Sequence, residues 1–145
     1  MPRVVCSSLL LAALAGFAAE AQGQEPAGSC TGDGTILCLN EDRFRVTVRW
    51  ENAAGASGDG QAKQLTGDTG YFWFFSENNV EVVIKVLNGC AIGDGAYWVF
   101  IGGLTDLRVE VEVEDVEAAE TKTYVNELGT LFVPVSDTAA FPTCD

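Results

Sequence analysis

The sequence predicts an all-β fold: an antiparallel β-sandwich of seven to eight strands held by disulfides, with a β-barrel as the alternative closure of the same strands. Three observations carry this. Arg43–Trp50 and Leu107–Val113 alternate apolar and polar side chains with a strict period of two, as half-buried strands do. Turn signals rich in Gly, Asp and Asn recur at intervals of roughly 8 to 15 residues, and no stretch sustains a helical period. Between Leu65 and Gly89, the consecutive aromatics Tyr71–Phe75 and the β-branched run Val80–Leu87 flank the polar connection Ser76–Asn79, which reads as a central hairpin.

Residues 1–21 read as a signal peptide. Met1-Pro2-Arg3 supplies a positive start, Val4–Ala19 is apolar, and Ala19-Glu20-Ala21 matches a small-x-small cleavage site. A membrane anchor would need about 18 uninterrupted apolar residues, but the run gives way to Glu20, Gln22, Gln24 and Glu25, so no membrane insertion is expected after cleavage. Cys6 lies at the start of the apolar run, not after it where a lipid-modified cysteine sits, and leaves with the leader. Residues 22–29, rich in Gln, Gly, Pro and Ala, form a flexible lead-in. Residues 30–145 then make a single domain of about 120 residues, large enough for one core.

Cys30, Cys38, Cys90 and Cys144 remain, an even number in an exported chain, and read as two disulfides whose pairing the sequence leaves open. Spacing favours Cys30 with Cys38, around one Asp-Gly turn, and Cys90 with Cys144, which ties down a tail that otherwise frays. Zinc is disfavoured, because there is no His and no Cys-x-x-Cys spacing. The chain holds 21 acidic and 8 basic residues, a net charge of −13, which repels nucleic acid and anionic membrane surfaces. The acidity serves solubility outside the cell; a basic partner or divalent cations are the sharper reading of it. The chain is expected to be secreted, extracellular or periplasmic, with a protein or carbohydrate partner.

The other elements follow in order. Ile36–Asn40 is a short strand. In Arg43–Trp50 the residues Phe44, Val46, Val48 and Trp50 share one face, and Arg43, Arg45, Thr47 and Arg49 the other. Asn52–Gln61, low-complexity Ala, Gly, Ser and Asp, is a surface loop, and Ala62–Thr66 offers a short edge strand. Ala96–Ile101 is a second aromatic strand, broken by Gly102-Gly103. Leu107, Val109, Val111 and Val113 face inward with Arg108, Glu110, Glu112 and Glu114 outward, and the chain returns through Thr121–Asn126. In the tail, Pro134 and Pro142 limit regular structure to one edge strand near Leu131–Val135.

The strings LCLNEDRFRVTVRW, QAKQLTGDTGYFWFFSENNVEVVIKVLNGC, YWVFIGGLTD and TYVNELGTLFVPVSDTAAFPTC cover nearly everything from Cys30 to Cys144. Together they resemble a recurrent domain of secreted bacterial proteins for which no activity is established. The resemblance implies a bacterial, exported, non-catalytic module and transfers no catalytic residue. Ser76 and Glu127 depart from its pattern, which has Asp and Pro there.

Several constellations invite chemistry. Asp68-Thr69-Gly70 is the aspartic-protease triplet, but that chemistry needs two carboxylates sharing a proton, and the second candidate, Asp137-Thr138-Ala139, lacks the Gly. Turn capping explains Asp68 more simply. Asp33, Asp59 and Asp94, each between glycines, are the weak candidates for a calcium site, with tight turns as the simpler reading. Glu110, Glu112 and Glu114 stand about 7 Å apart on one strand face. They could serve a basic ligand, or pair across the sheet with Arg43, Arg45 and Arg49. A carboxylate-dependent hydrolase is the remaining alternative, and no catalytic residue is nominated for it. Tyr71, Trp73 and Phe75, with Trp98, are the candidate ligand platform, since Phe72 and Phe74 must point the other way. Burial of both sets is expected to make the run core.

Overall fold

The computed structural model describes residues 28–144; the expected leader at 1–21 and all but the last two residues of the expected lead-in at 22–29 lie outside the described residues. In chain order the strands are β1 (Ile36–Leu39), β2 (Phe44–Glu51), β3 (Ser57–Asp59), β4 (Gln61–Gln64), β5 (Thr69–Trp73), β6 (Val82–Asn88), β7 (Tyr97–Gly103), β8 (Arg108–Asp115), β9 (Glu120–Asn126) and β10 (Val135–Phe141). A single 3₁₀ turn, Cys90–Ile92, separates β6 from β7. One sheet runs β1-β2-β8-β9 with β3 beside β2, the other β10-β7-β6-β5-β4, all pairs antiparallel. Neither sheet closes, so the fold is the sandwich and not the barrel.

The period of two in β2 and β8 does what it predicts. Phe44, Val46 and Val48 meet Val109, Val111 and Val113 on the core side, with Val46 opposite Val113 and Val48 opposite Val111. From the second sheet Phe72, Val82, Ile84, Val86, Val99, Ile101 and Phe141 close over them. Phe44 joins the layers, its ring centroid 4.8 Å from that of Tyr97 and 5.3 Å from that of Phe141. Each such fully buried side chain stabilises the fold by about 1.5 to 3 kcal/mol.

Two glycines set the join between layers. β3 and β4 are separated by Gly60 alone, and the chain changes sheets there. Its N–H donates to the carbonyl of Val48 at 2.7 Å, and a Cβ would stand 3.1 Å from the rings of Phe72 and Phe74. Gly70 in β5 lets Leu37 of the facing sheet approach: a Cβ there would lie 2.6 Å from the Leu37 methyls.

The structure departs from the sequence reading in four places. The described residues hold ten strands rather than seven to eight, because both optional edge strands, β4 and β10, form and β3 is added within the expected loop, where Gly58 accommodates the Trp50 indole opposite it. β5 ends at Trp73, so Phe74 and Phe75 leave the ladder before the Ser76–Asn79 turn. The tail strand lies at Val135–Phe141, after Pro134 and before Pro142, since proline has no N–H for a ladder. Arg43 faces inward at 7 % exposure, because it belongs to the turn before β2 and not to the alternation.

Cys30 is joined to Cys38 and Cys90 to Cys144, the pairing that spacing favours, with sequence separations of 8 and 54. In the loop-entropy view these contribute roughly 2 to 3 and about 4 kcal/mol. The sheet edges are blunted. β4 is short and carries Lys63, β10 shifts register between Asp137 and Phe141, and β9 places Lys122 opposite Val113 on its core-facing side. Short strands, irregularities and inward charges discourage edge-to-edge pairing, which leaves the faces and loops as the surfaces to examine for ligands.

Candidate functional site

The alternation that buries Phe72, Val82, Ile84, Val86, Tyr97, Val99 and Ile101 turns their neighbours to the other side of the second sheet. That outer face carries Tyr71, Trp73, Val83, Leu87, Trp98 and Phe100, all half-buried. Its rows follow from the register: Lys63, Tyr71, Val83 and Gly102 in one, Thr69, Lys85 and Phe100 in the next, Leu87 and Trp98 in the third. Among the described residues no element packs over it.

The face is fixed in place. The Trp98 indole N–H donates to Asp94 at 2.8 Å, and Gly89 leaves room for that ring, since a Cβ would stand 2.6 Å from Nε1. Lys85, mid-face, pairs with Asp68 at 3.2 Å. At Gly102 a Cβ would meet nothing within 4 Å, so an open strip runs beside Val83. Tyr71 and Trp98 are two strands and four residues of β6 apart, about 16 Å on standard strand spacings.

Of the sequence candidates, the structure gathers Tyr71, Trp73 and Trp98 on this face and removes Phe75. Phe75, 59 % exposed, turns to the end of the sandwich and packs edge-on against Trp50 at 4.9 Å between centroids, while Phe74 stacks on Trp50 at 6.0 Å. The expected burial of both aromatic sets is therefore corrected: Phe72 and Phe74 are core, Tyr71 and Trp73 half-buried and Phe75 open. The cause is that only one sheet covers this hairpin. Phe100 belongs to the face too, and its place two residues after Trp98 was the signal for it.

The remaining candidates have local roles. Asp68 accepts from the Thr66 and Thr69 hydroxyls, each at 2.7 Å, and these bonds, with Lys85, hold its carboxyl down at about 2. Asp137 accepts from Tyr124 Oη at 2.9 Å. β10 and β5 are three strand spacings apart, about 14 Å, so the two aspartates share no proton. Asp33 accepts from Thr35 N–H and Oγ1, Asp59 sits in β3 rather than a turn, 3.9 Å from Arg49, and Asp94 holds Trp98. Among the described residues no three His, Cys, Asp or Glu side chains come together as a metal site. Glu114 pairs with Arg45 at 3.5 Å and Glu110 with Arg108 at 3.0 Å, with Arg45 and Arg49 directly opposite Glu114 and Glu110 in the ladder.

No family model, curated protein or solved structure matches this chain.

Two arrangements escaped the sequence. Arg43 and Asp115 meet in the interior with Tyr97 and Thr143, because the turn before β2 and the last residue of β8 stand opposite each other. Leu104, Leu131 and Val133 are 73, 83 and 72 % exposed, a concentration of open apolar surface around the loop before β10. Isolated apolar residues in a tail carry no period that would have placed them together.

Proposed function

We propose that the chain is a non-catalytic binding module, secreted by its leader and acting at or beyond a bacterial cell envelope, that holds a polysaccharide on the outer face of its second sheet. The observation that carries this reading is the grouping of Tyr71, Trp73, Trp98 and Phe100 on one uncovered face around the open strip at Gly102. Fixed aromatic rings offer apolar area to the C–H faces of sugar rings at little entropic cost. Lys85, Thr69 and Gln61 stand between and beside them as partners for hydroxyls. A span of about 16 Å suits a run of sugars rather than a single ring. Two disulfides in an all-β chain accord with an oxidising, extracytoplasmic compartment.

Co-sedimentation with insoluble peptidoglycan, with cellulose and chitin alongside, tests the reading. Wild type is expected to be retained by at least one of them. Trp98→Ala and Gly102→Arg, which reach the face and not the core, should release it while the domain stays folded, Trp98→Ala at a cost of roughly 1 to 2 kcal/mol. Retention of neither wild type nor variant, or equal retention of both, overturns it.

A further inference from the structure

The segment from Glu127 to Pro134 is fixed at its base and bare at its tip. Asn126, buried at the end of β9, donates through Nδ2 to the carbonyls of Leu107 at 3.0 Å, Glu127 at 3.3 Å and Thr130 at 3.0 Å. Gly129, at φ 74°, donates its N–H to the carbonyl of Asp106 at 2.7 Å. The Phe132 ring lies on Gly103, where a Cβ would be 2.1 Å from it. A segment so anchored still holds Leu131 and Val133 out in solvent, with Val125 and Leu128 also open. Beside them Tyr124, Val125, Phe132, Val133 and Val135 line a mainly apolar groove of about 230 Å³.

The rim of this patch is acidic. Asp106 and Glu127 flank the loop, and Asp137 is held at the groove by the Tyr124 hydroxyl. Arg108 lies near enough to Glu127 to feel its charge, but its guanidinium is paired with Glu110 at 3.0 Å. Monomeric proteins seldom hold apolar side chains this open on a rigid backbone, and preorganised display lowers the entropic cost of association.

We propose that the Glu127–Pro134 loop and its groove dock a protein partner that presents an extended apolar segment flanked by Lys or Arg. Charge decides the occupant. A second copy of this chain would set Asp106, Glu127 and Asp137 against their own equivalents, and an anionic membrane would meet the same repulsion. The proposal is independent of the polysaccharide reading, because it rests on the loop before β10 and not on the aromatic side chains of the outer face.

The probes are a capped nine-residue peptide of alternating Lys and Leu and its Lys-Ser counterpart of equal charge. Titration calorimetry and amide shift mapping on the intact domain read the result. Wild type should bind the Leu peptide at least about tenfold more tightly than the Ser peptide, with shifts at Tyr124–Val133. Leu131→Ser combined with Val133→Ser should erase that difference at unchanged melting temperature, and Trp98→Ala should preserve it. Equal affinity for the two peptides, or shifts centred elsewhere, overturns the proposal. So does self-association of wild type in sedimentation that the double variant loses, which would make the occupant a second copy. Binding to phosphatidylcholine vesicles lost in the same variant would make it a lipid surface and likewise overturn it.

Discussion

Arg43 and Asp115 form a buried ion pair at the margin of the sandwich core. Nε reaches Oδ1 at 3.1 Å and Nη2 reaches Oδ2 at 3.0 Å, with the carboxylate side chain wholly buried. Further partners surround the pair: Nη1 donates to Tyr97 Oη at 3.2 Å and pairs with the half-exposed Glu117 at 3.2 Å, Nη2 donates to the carbonyl of Thr143 at 2.7 Å, and Thr143 Oγ1 to Asp115 at 2.6 Å. The guanidinium also lies 4.6 Å from the Tyr97 ring centroid. Burial works against the charge on Arg43, but Asp115 outweighs it and the guanidinium is held protonated more firmly than usual.

Asp115→Ala leaves Arg43 with only the half-exposed Glu117 as an ionic partner, so it should cost up to about 3 kcal/mol in urea unfolding. Glu114→Ala, which removes only the exposed pair with Arg45, should cost less than about 1 kcal/mol. Similar losses from the two would contradict the assignment of Arg43 to the interior.

Acid should weaken the fold in a defined window. Thr66 and Thr69 hold the Asp68 carboxyl at about 2, and Asp115, whose burial pushes it up, is pulled below its ordinary value by Arg43 and Thr143. Both groups bind a proton less readily folded than unfolded. Their contribution is therefore complete above about pH 4, where unfolded carboxyls titrate, and is lost as pH falls through the folded values. For Asp68, partly exposed, it is on the order of 1 kcal/mol after screening. Melting temperature should fall steeply between about pH 4 and pH 2. Asp68→Asn should lower it at pH 7 but little at pH 2; a variant parallel to wild type throughout would refute the role given to Asp68.

Adjacent aromatics should behave oppositely. Phe72→Ala, at a fully buried site, should cost about 3 to 5 kcal/mol, whereas Trp73→Ala on the outer face should cost roughly 1 to 2. Denaturant midpoints of the two variants measure this directly, and a Trp73 loss as large as that of Phe72 would place the outer face under unseen cover.

The turn between β1 and β2 is strained. Asn40, Glu41 and Asp42 take φ of 52°, 56° and 65°, held there by Asn40 N–H on the carbonyl of Gly67, Asn40 Nδ2 on that of Val86 and Cys30 N–H on that of Asp42. Left-handed backbone costs an L residue about 1 to 2 kcal/mol. Asp42→Gly should therefore stabilise by about 0.5 to 1 kcal/mol, after the extra freedom of glycine in the unfolded chain is subtracted. A lower melting temperature in that variant would show that the Asp42 side chain contributes more than its backbone costs.

What the sequence made legible follows from period. Phe44, Val46 and Val48 as one buried face and Val109, Val111 and Val113 as another could be read directly from alternation, whereas the pairing of those two strands, which sets Arg45 opposite Glu114, is supplied by the structure. Tyr71, Trp73 and Trp98 were legible as a set, since alternation fixes a face. Phe75 was not, because the ladder stops at Trp73 and periodicity says nothing of where pairing ends. β3 was hidden in a run of small residues whose strand character comes from Trp50 opposite Gly58 and not from propensity. Arg43 with Asp115 lay beyond reach, for no local pattern reports a contact 72 residues apart.

That sequence distance has a temporal consequence. β2 waits for β8, Arg43 waits 72 residues for Asp115 and 100 for Thr143, and the second sheet waits for β10. A chain emerging from its N-terminus can zip β1 to β2 and β5 to β6 early, but those hairpins leave one apolar flank without a partner. The first layer is complete only with β9 and the second only with β10, so the apolar faces lack their cover until late in synthesis.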